Sequence, residues 1–172
     1  AKIAFVRGIN EDNFKHFLDP KIKTSLPDPN ILDDMDKATN KALDFIKKKK
    51  KIGILGDYDV DGSSATALMA NYFEDINVDY EYYIPDRIKE GYGPNLKALR
   101  FLKDKGCDLI ITVDCGTTAT ECIEKINEEG VEIIIIDHHL EISSLPNAYA
   151  VINPKKKSDK SGLENLCATG VV

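Results

Sequence analysis

From residue 51 onward, short apolar runs alternate with amphipathic segments. Ile52–Leu55, Leu109–Val113 and Ile133–Ile136 are almost wholly apolar, as strands covered on both faces are. Val78, Tyr80, Tyr82 and Ile84 recur with a period of two, which predicts a further strand, and Ala148–Ile152 predicts another. Helical spacings lie between them. Ala65, Leu68, Met69, Tyr72 and Phe73 share one face of Ser63–Phe73; Leu96, Leu99 and Leu102 follow Pro94 and close near Gly106; Thr118–Glu129 closes at Gly130. Strands alternating with helices predict an α/β fold, a mostly parallel sheet with helices on both faces. Ahead of it, Met35, Ala38, Ala42, Phe45 and Ile46 mark a helix over 34–48, with Asp33 or Asp34 available as its cap. Phe14, Phe17 and Leu18 mark a shorter helix before the breaker-rich Leu26-Pro27-Asp28-Pro29. The reading divides the chain into a helical arm, residues 1–50, and a domain over 51–172.

Composition narrows the class. The 172 residues carry a net charge of −6, weakly against nucleic acid, although carboxylates that hold a metal count as negative in that sum and are neutralised in use. Positive charge is concentrated instead, at Lys47–Lys51 and Lys155–Lys157. The first of these runs falls in the last turn of a helix, where cations are favoured in any case. No apolar run reaches membrane-spanning length and nothing resembles a signal peptide. Cys107, Cys115, Cys122 and Cys167 form no C-x-x-C pair, so reduced thiols in a cytoplasmic protein are expected. A first residue other than methionine and an apolar Gly170-Val171-Val172 end suggest a piece of a longer protein.

The polar residues follow the strands. Asp57, Asp59 and Asp61 alternate directly after Ile52–Leu55, so on an extended backbone they point the same way toward one cation. Asp114 follows the third strand of the sheet and Asp137-His138-His139 the fourth. Ligands bind open α/β sheets at the carboxyl ends of the strands, so these residues are expected at one edge. A single acid after a strand is often a helix cap; three acid-bearing strand ends and a histidine pair are harder to explain that way. Oxygen ligands with imidazole suit magnesium or manganese. An EF-hand loop is excluded, because Leu68 stands where the bidentate glutamate is needed. The D-x-D of an aspartyl-phosphate phosphatase leaves His138 and His139 without a role. Cys115 has no orienting base near it in sequence and is not read as a nucleophile. Asp114-Cys115-Gly116-Thr117-Thr118 offers backbone amides for an anion, or ordinary capping by a threonine. Pro85–Pro94 brings together Arg87, Lys89, Tyr92 and glycines, fit for phosphate and base contacts or for a plain solvated turn.

Four blocks, Gly56-Asp57-Tyr58-Asp59-Val60-Asp61-Gly62, Glu90-Gly91-Tyr92-Gly93, Val113-Asp114-Cys115-Gly116 and Asp137-His138-His139 followed by Asn153-Pro154, resemble the DHH phosphoesterase superfamily and, within it, the RecJ-type exonucleases. The resemblance implies a metal-dependent phosphodiesterase that digests single-stranded DNA from the 5′ end, in repair and recombination, with two manganese or magnesium ions. It implies that Asp59, Asp61, Asp114 and His138 bind metal, with Asp114 bridging both ions. His139 and Asp114 are then the catalytic residues, Asp137 orients a histidine, Asp57 stands behind the ligands, and Arg87 and Gly116 contact substrate. Many members place a histidine ligand where this chain has Leu55, which thins one metal's shell. The family also uses a further aspartate and a second domain downstream, so this piece alone is expected to be weak or inactive. Two competitors remain: a DHH enzyme for short oligonucleotides, cyclic dinucleotides or pyrophosphate, and a non-catalytic DNA-binding module.

Overall fold

The computed structural model describes residues 2–142 and 144–172. Five strands, β1 (Ile52–Leu55), β2 (Tyr80–Tyr83), β3 (Leu109–Val113), β4 (Glu132–Ile136) and β5 (Ala150–Ile152), form one parallel sheet in the order β2-β1-β3-β4-β5. The helices are α1 (Lys2–Val6), α2 (Glu11–Leu18), α3 (Ile22–Ser25), α4 (Met35–Lys47), α5 (Val60–Asp75), α6 (Arg87–Glu90), α7 (Leu96–Asp104), α8 (Thr120–Glu128) and α9 (Ala168–Val171). The chain moves outward from β1 to β2, then returns past β1 to β3. That reversal opens a crevice between the carboxyl ends of β1 and β3, the usual ligand position in such sheets.

The strand period of two sorts the apolar residues onto two faces. Ile52, Ile54, Ile111 and Ile134 pack with α4, α5 and α9, while Ile110, Ile133 and Ile135 pack with α7 and α8. The expected two-faced sheet is what forms, because strands buried on both sides need helices on both. Gly53 lies on the second face, where an added Cβ would come 3.1–3.3 Å from Ile110, Cys107 and Leu102. That strand therefore passes close under α7.

The arm is not uniform. α1, α2 and α3 bury no residue, whereas α4 buries Ala38 and Phe45 in the same cluster as β1, β4 and β5. Asp34 takes the cap position of α4, as expected, but its side chain makes no capping bond. Asp34 instead accepts the N–H of Val151 at 3.1 Å, and both aspartates approach the buried Lys156 ammonium, at 3.0 and 3.3 Å. A buried ammonium requires such partners, and here they tie the start of α4 to β5.

The segment between β2 and α7, expected as a solvated turn or a phosphate-contacting stretch, contains α6. Its hub is Glu90, which accepts hydrogen bonds from the Tyr83 hydroxyl at 2.9 Å, the Asp86 N–H at 2.9 Å and the Lys97 ammonium at 2.8 Å. Lys97 first, then the Asp86 amide and the Tyr83 hydroxyl, hold the Glu90 carboxyl down from 4.5 to about 2. A depressed carboxyl stabilises the fold fully above its ordinary value, and that contribution fades as the pH falls through the folded value. Glu90→Gln should therefore melt earlier than the wild type at pH 7. In thermal melts across pH, the gap should close between about pH 4.5 and about pH 2. A gap independent of pH would show that the Glu90 charge does not organise this segment.

Candidate metal centre

Three strand ends supply the polar residues. Asp57 leaves β1 and is buried; Asp59 caps α5, its carboxylate accepting the Gly62 N–H at 2.9 Å; Asp61 lies in the first turn of that helix. Gly62 permits the approach, since a Cβ there would stand 2.6 Å from that of Asp57. Asp114 follows β3 with φ +61°, a left-handed conformation that aspartate tolerates better than most residues. Its N–H still donates to Ile136 at 2.9 Å, so the turn is fixed to β4 and the carboxylate is turned toward the crevice end of β1. Asp137, His138 and His139 leave β4 beside it.

Two groups of candidate ligands result. The ligand atoms of Asp57, Asp59 and Asp114 lie within 4.8 Å of one another, as do those of Asp114, His138 and His139. Asp114 belongs to both. Its Oδ1 and that of Asp57 are buried without a hydrogen-bond partner among the described residues. His138 Nε2 stands 3.2 Å from the Asp114 oxygen, within ion-pair reach but without hydrogen-bond geometry. Buried carboxylate oxygens left without donors carry a desolvation cost that a divalent cation would relieve. Burial first, then repulsion from Asp61 and Asp59, drives the Asp114 carboxyl up to about 7. Burial and the nearby Asp59 also raise Asp57. The donor set is oxygen-rich with imidazole and lacks thiolate, which fits manganese or magnesium.

Behind the cluster sits Asp137, 1% exposed. One of its oxygens accepts the N–H groups of His138 at 2.7 Å and His139 at 3.2 Å and the His139 Nδ1 at 2.7 Å; the other accepts the Thr117 N–H at 2.9 Å. Burial pushes this carboxyl up, but those bonds outweigh it and hold it at about 2. The amide expected to bind an anion after β3 does bind one, the chain's own Asp137. Neither threonine caps α8, whose cap position is Ala119.

The placement differs from the alternation argument in one respect. α5 begins at Val60, not Ser63, so the backbone is no longer extended after Asp59. Asp57 joins the Asp59–Asp114 group instead of standing behind the ligands. Asp61 falls outside both groups: its carboxylate accepts the N–H groups of Ala168 at 2.7 Å and Thr169 at 2.9 Å and the Thr169 hydroxyl, and stands 3.5 Å from His138. These bonds offset its burial and lower its pKa. His139, read as catalytic, also offers a ligand atom. Gly116, read as a substrate contact, is buried with φ +117°, and a Cβ there would meet Thr112 at 2.7 Å; the turn itself requires glycine. Arg87 is exposed and stacks over the Tyr58 ring at 4.6 Å. Leu55 is sealed in the core and offers no ligand. Tyr92 is a residue whose place the sequence reading missed. Its hydroxyl lies 3.1 Å from His139 Nδ1, carried there by Gly91 and Gly93 at φ +79° and +81°. An aromatic between two glycines was the signal. An apolar groove of about 390 Å³ lies on one face of the sheet between α4 and α5 and contains no member of this cluster.

A parallel sheet that gathers carboxylates and imidazoles at its switch point defines the class: an α/β protein with an acid–histidine cation site. The chain belongs to the DHH family, whose N-terminal domain matches residues 51–172. It is 38% identical over 144 residues to the single-stranded-DNA-specific exonuclease RecJ of Bacillus subtilis (strain 168), covering 84% of this chain and 18% of the relative. It is 32% identical over 155 residues to RecJ of Haemophilus influenzae, covering 90% and 27%. The crystal structure of an exonuclease RecJ bound to manganese superimposes with a TM-score of 0.73 and 31% identity, over 81% of this chain and 35% of that one. The chain thus spans about a fifth to a quarter of the length of the curated relatives it matches.

The repulsion at Asp114 gives a signed test. Asp114→Asn should melt higher than the wild type without metal at pH 7, because a crowded buried charge is removed. Manganese at about a hundred times its Kd should raise the wild-type Tm by roughly 5–10 °C and that of the variant far less. Equal manganese shifts in both proteins would remove Asp114 from the site.

Proposed function

We propose that the protein carrying this domain is a metal-dependent phosphodiesterase of RecJ type, digesting single-stranded DNA from its 5′ end. The observation that carries the reading is the pair of ligand groups sharing Asp114, with two orphaned carboxylate oxygens between them. The 38% and 32% identity to RecJ exonucleases, and the fold shared with one that binds manganese, point the same way. Two manganese or magnesium ions, held by Asp57, Asp59, Asp114 and His138, would supply Lewis-acid polarisation and charge neutralisation at a phosphodiester. Asp137 holds the His139 ring through Nδ1 at 2.7 Å, and the Tyr92 hydroxyl stands 3.3 Å from Nε2. His139 is the acid–base candidate, its proton affinity raised by the Asp137 hydrogen bond. Asp61 closes the first turn of α5 against α9 and borders His138. Arg87, exposed beside Tyr58, suits a backbone phosphate. Tyr58 and Tyr92 offer ring faces to unstacked bases, which binds single strands with little sequence preference. A repair and recombination role in the cytoplasm follows from this activity.

The test is release of mononucleotides from 5′-labelled single-stranded DNA in manganese by the full-length protein, beside duplex DNA, a dinucleotide, a cyclic dinucleotide and pyrophosphate. Single-stranded DNA should be the preferred substrate. Asp59→Asn should lower turnover at least about a hundredfold, since losing even a group that only orients a metal ligand can cost that much. Faster turnover of the small phosphoesters would favour the competing DHH activity. An unaffected Asp59→Asn would remove that ligand.

A further inference from the structure

The corner that carries His139 is closed by a ring of hydrogen bonds reaching the segments that follow β3 and β5. Asn153 Nδ2 donates to the carbonyl oxygen of His139 at 2.8 Å and to Thr117 Oγ1 at 2.9 Å. The Thr117 N–H donates to Asp137 at 2.9 Å, and Asp137 accepts the His139 Nδ1 proton at 2.7 Å. The circuit therefore runs from Asn153 through Thr117 and Asp137 to the His139 ring, and back from the His139 carbonyl to Asn153. Asn153, Asp137 and Thr117 are 0%, 1% and 2% exposed. The amide orientation is settled by its partners, since Asn153 Oδ1 accepts the Lys155 N–H at 2.8 Å. Turning the amide over would set a donor against that N–H and an acceptor against two oxygens.

Without this circuit His139 has little to hold it. Its side chain is 45% exposed and follows the strand on an irregular segment. Apart from Asp137, its ring is approached by His138 and by Tyr92, itself 52% exposed. A half-exposed imidazole on such a segment moves freely among rotamers unless its partners are themselves fixed. A buried polar circuit with every link satisfied specifies one geometry, and one missing link leaves the others short of a partner.

We propose that Asn153 is a positioning residue for His139, acting on its backbone directly and on its ring through Thr117 and Asp137. The proposal deepens the phosphodiesterase reading and rests on it for the use made of His139, but the circuit can be judged without it. The measurement is solvent exchange of the His139 Nδ1 proton, by proton–nitrogen NMR on histidine-labelled protein at fixed pH, with the His138 ring as internal reference. In Asn153→Ala the His139 proton should exchange at least about tenfold faster while the His138 signals stay in place. Thr117→Val, which removes the acceptor of Asn153 and the hydroxyl's own bond to Asp137 but no backbone bond, should produce a change in the same direction. Should Asn153→Ala fail to fold, Thr117→Val decides by the same signal. In the full-length protein, Asn153→Ala should lower kcat on single-stranded DNA about tenfold or more, with KM and the manganese half-saturation point little changed, since misplacing one group by about an ångström can cost a hundredfold. A folded variant with an unchanged His139 proton would overturn the proposal, as would a KM effect alone. A wild-type protein inactive on DNA would instead overturn the nuclease reading, leaving the exchange data to judge the circuit.

Discussion

Crowding of negative charge at the carboxyl edge of the sheet is the constraint on which the rest depends. Asp114 is buried at the end of β3, repelled by Asp59 and Asp61, and driven up to about 7. A domain built only for stability would place an apolar residue there. Each buried isoleucine in the layers beneath contributes roughly 1.5–3 kcal/mol, and the sheet contains many. That apolar surplus lets the fold carry carboxylates that oppose it. The left-handed backbone at Asp114 belongs to the same bargain, since conformations of this kind persist only where the surroundings over-determine them.

The acids at this edge have been divided into two kinds by the hydrogen bonds offered to them. Asp137 accepts four N–H donors and is held at about 2, so it stays charged and acts as a fixed anchor for both histidines. Asp61 is likewise occupied, by the N-terminus of α9, and serves to join the first turn of α5 to the C-terminal segment. Asp57 and Asp114 keep oxygens that no donor among the described residues reaches. Acids already satisfied brace the site, while the unsatisfied ones are left for a cation. The same carboxylate chemistry thus gives structure or a binding site according to what the backbone presents.

Much of this was legible in the chain. Wholly apolar runs at β1, β3 and β4 spelled out a parallel sheet, and the acids after them located its working edge. The residues that meet there, Asp57, Asp59, Asp114, His138 and His139, were all singled out from their positions after strands. Their division of labour was not, because alternation assumes an extended backbone and α5 starts as early as Val60. Asp61 therefore lies on the first turn of that helix, bonded to Ala168 and Thr169 while still bordering His138. Tyr92, Thr117 and Asn153 act across 14 to 47 positions of sequence, through contacts that no local period encodes. The pairing of Asp33 and Asp34 with Lys156, in place of a capping bond, was hidden in the same way.

The central claim is that Asp114 is shared between two cation sites. Crystals grown with manganese and measured at its absorption edge test this directly. The account predicts two anomalous peaks flanking Asp114, one against Asp57 and Asp59 and the other against His138. Peaks elsewhere in the molecule, or none at this edge of the sheet, would contradict it.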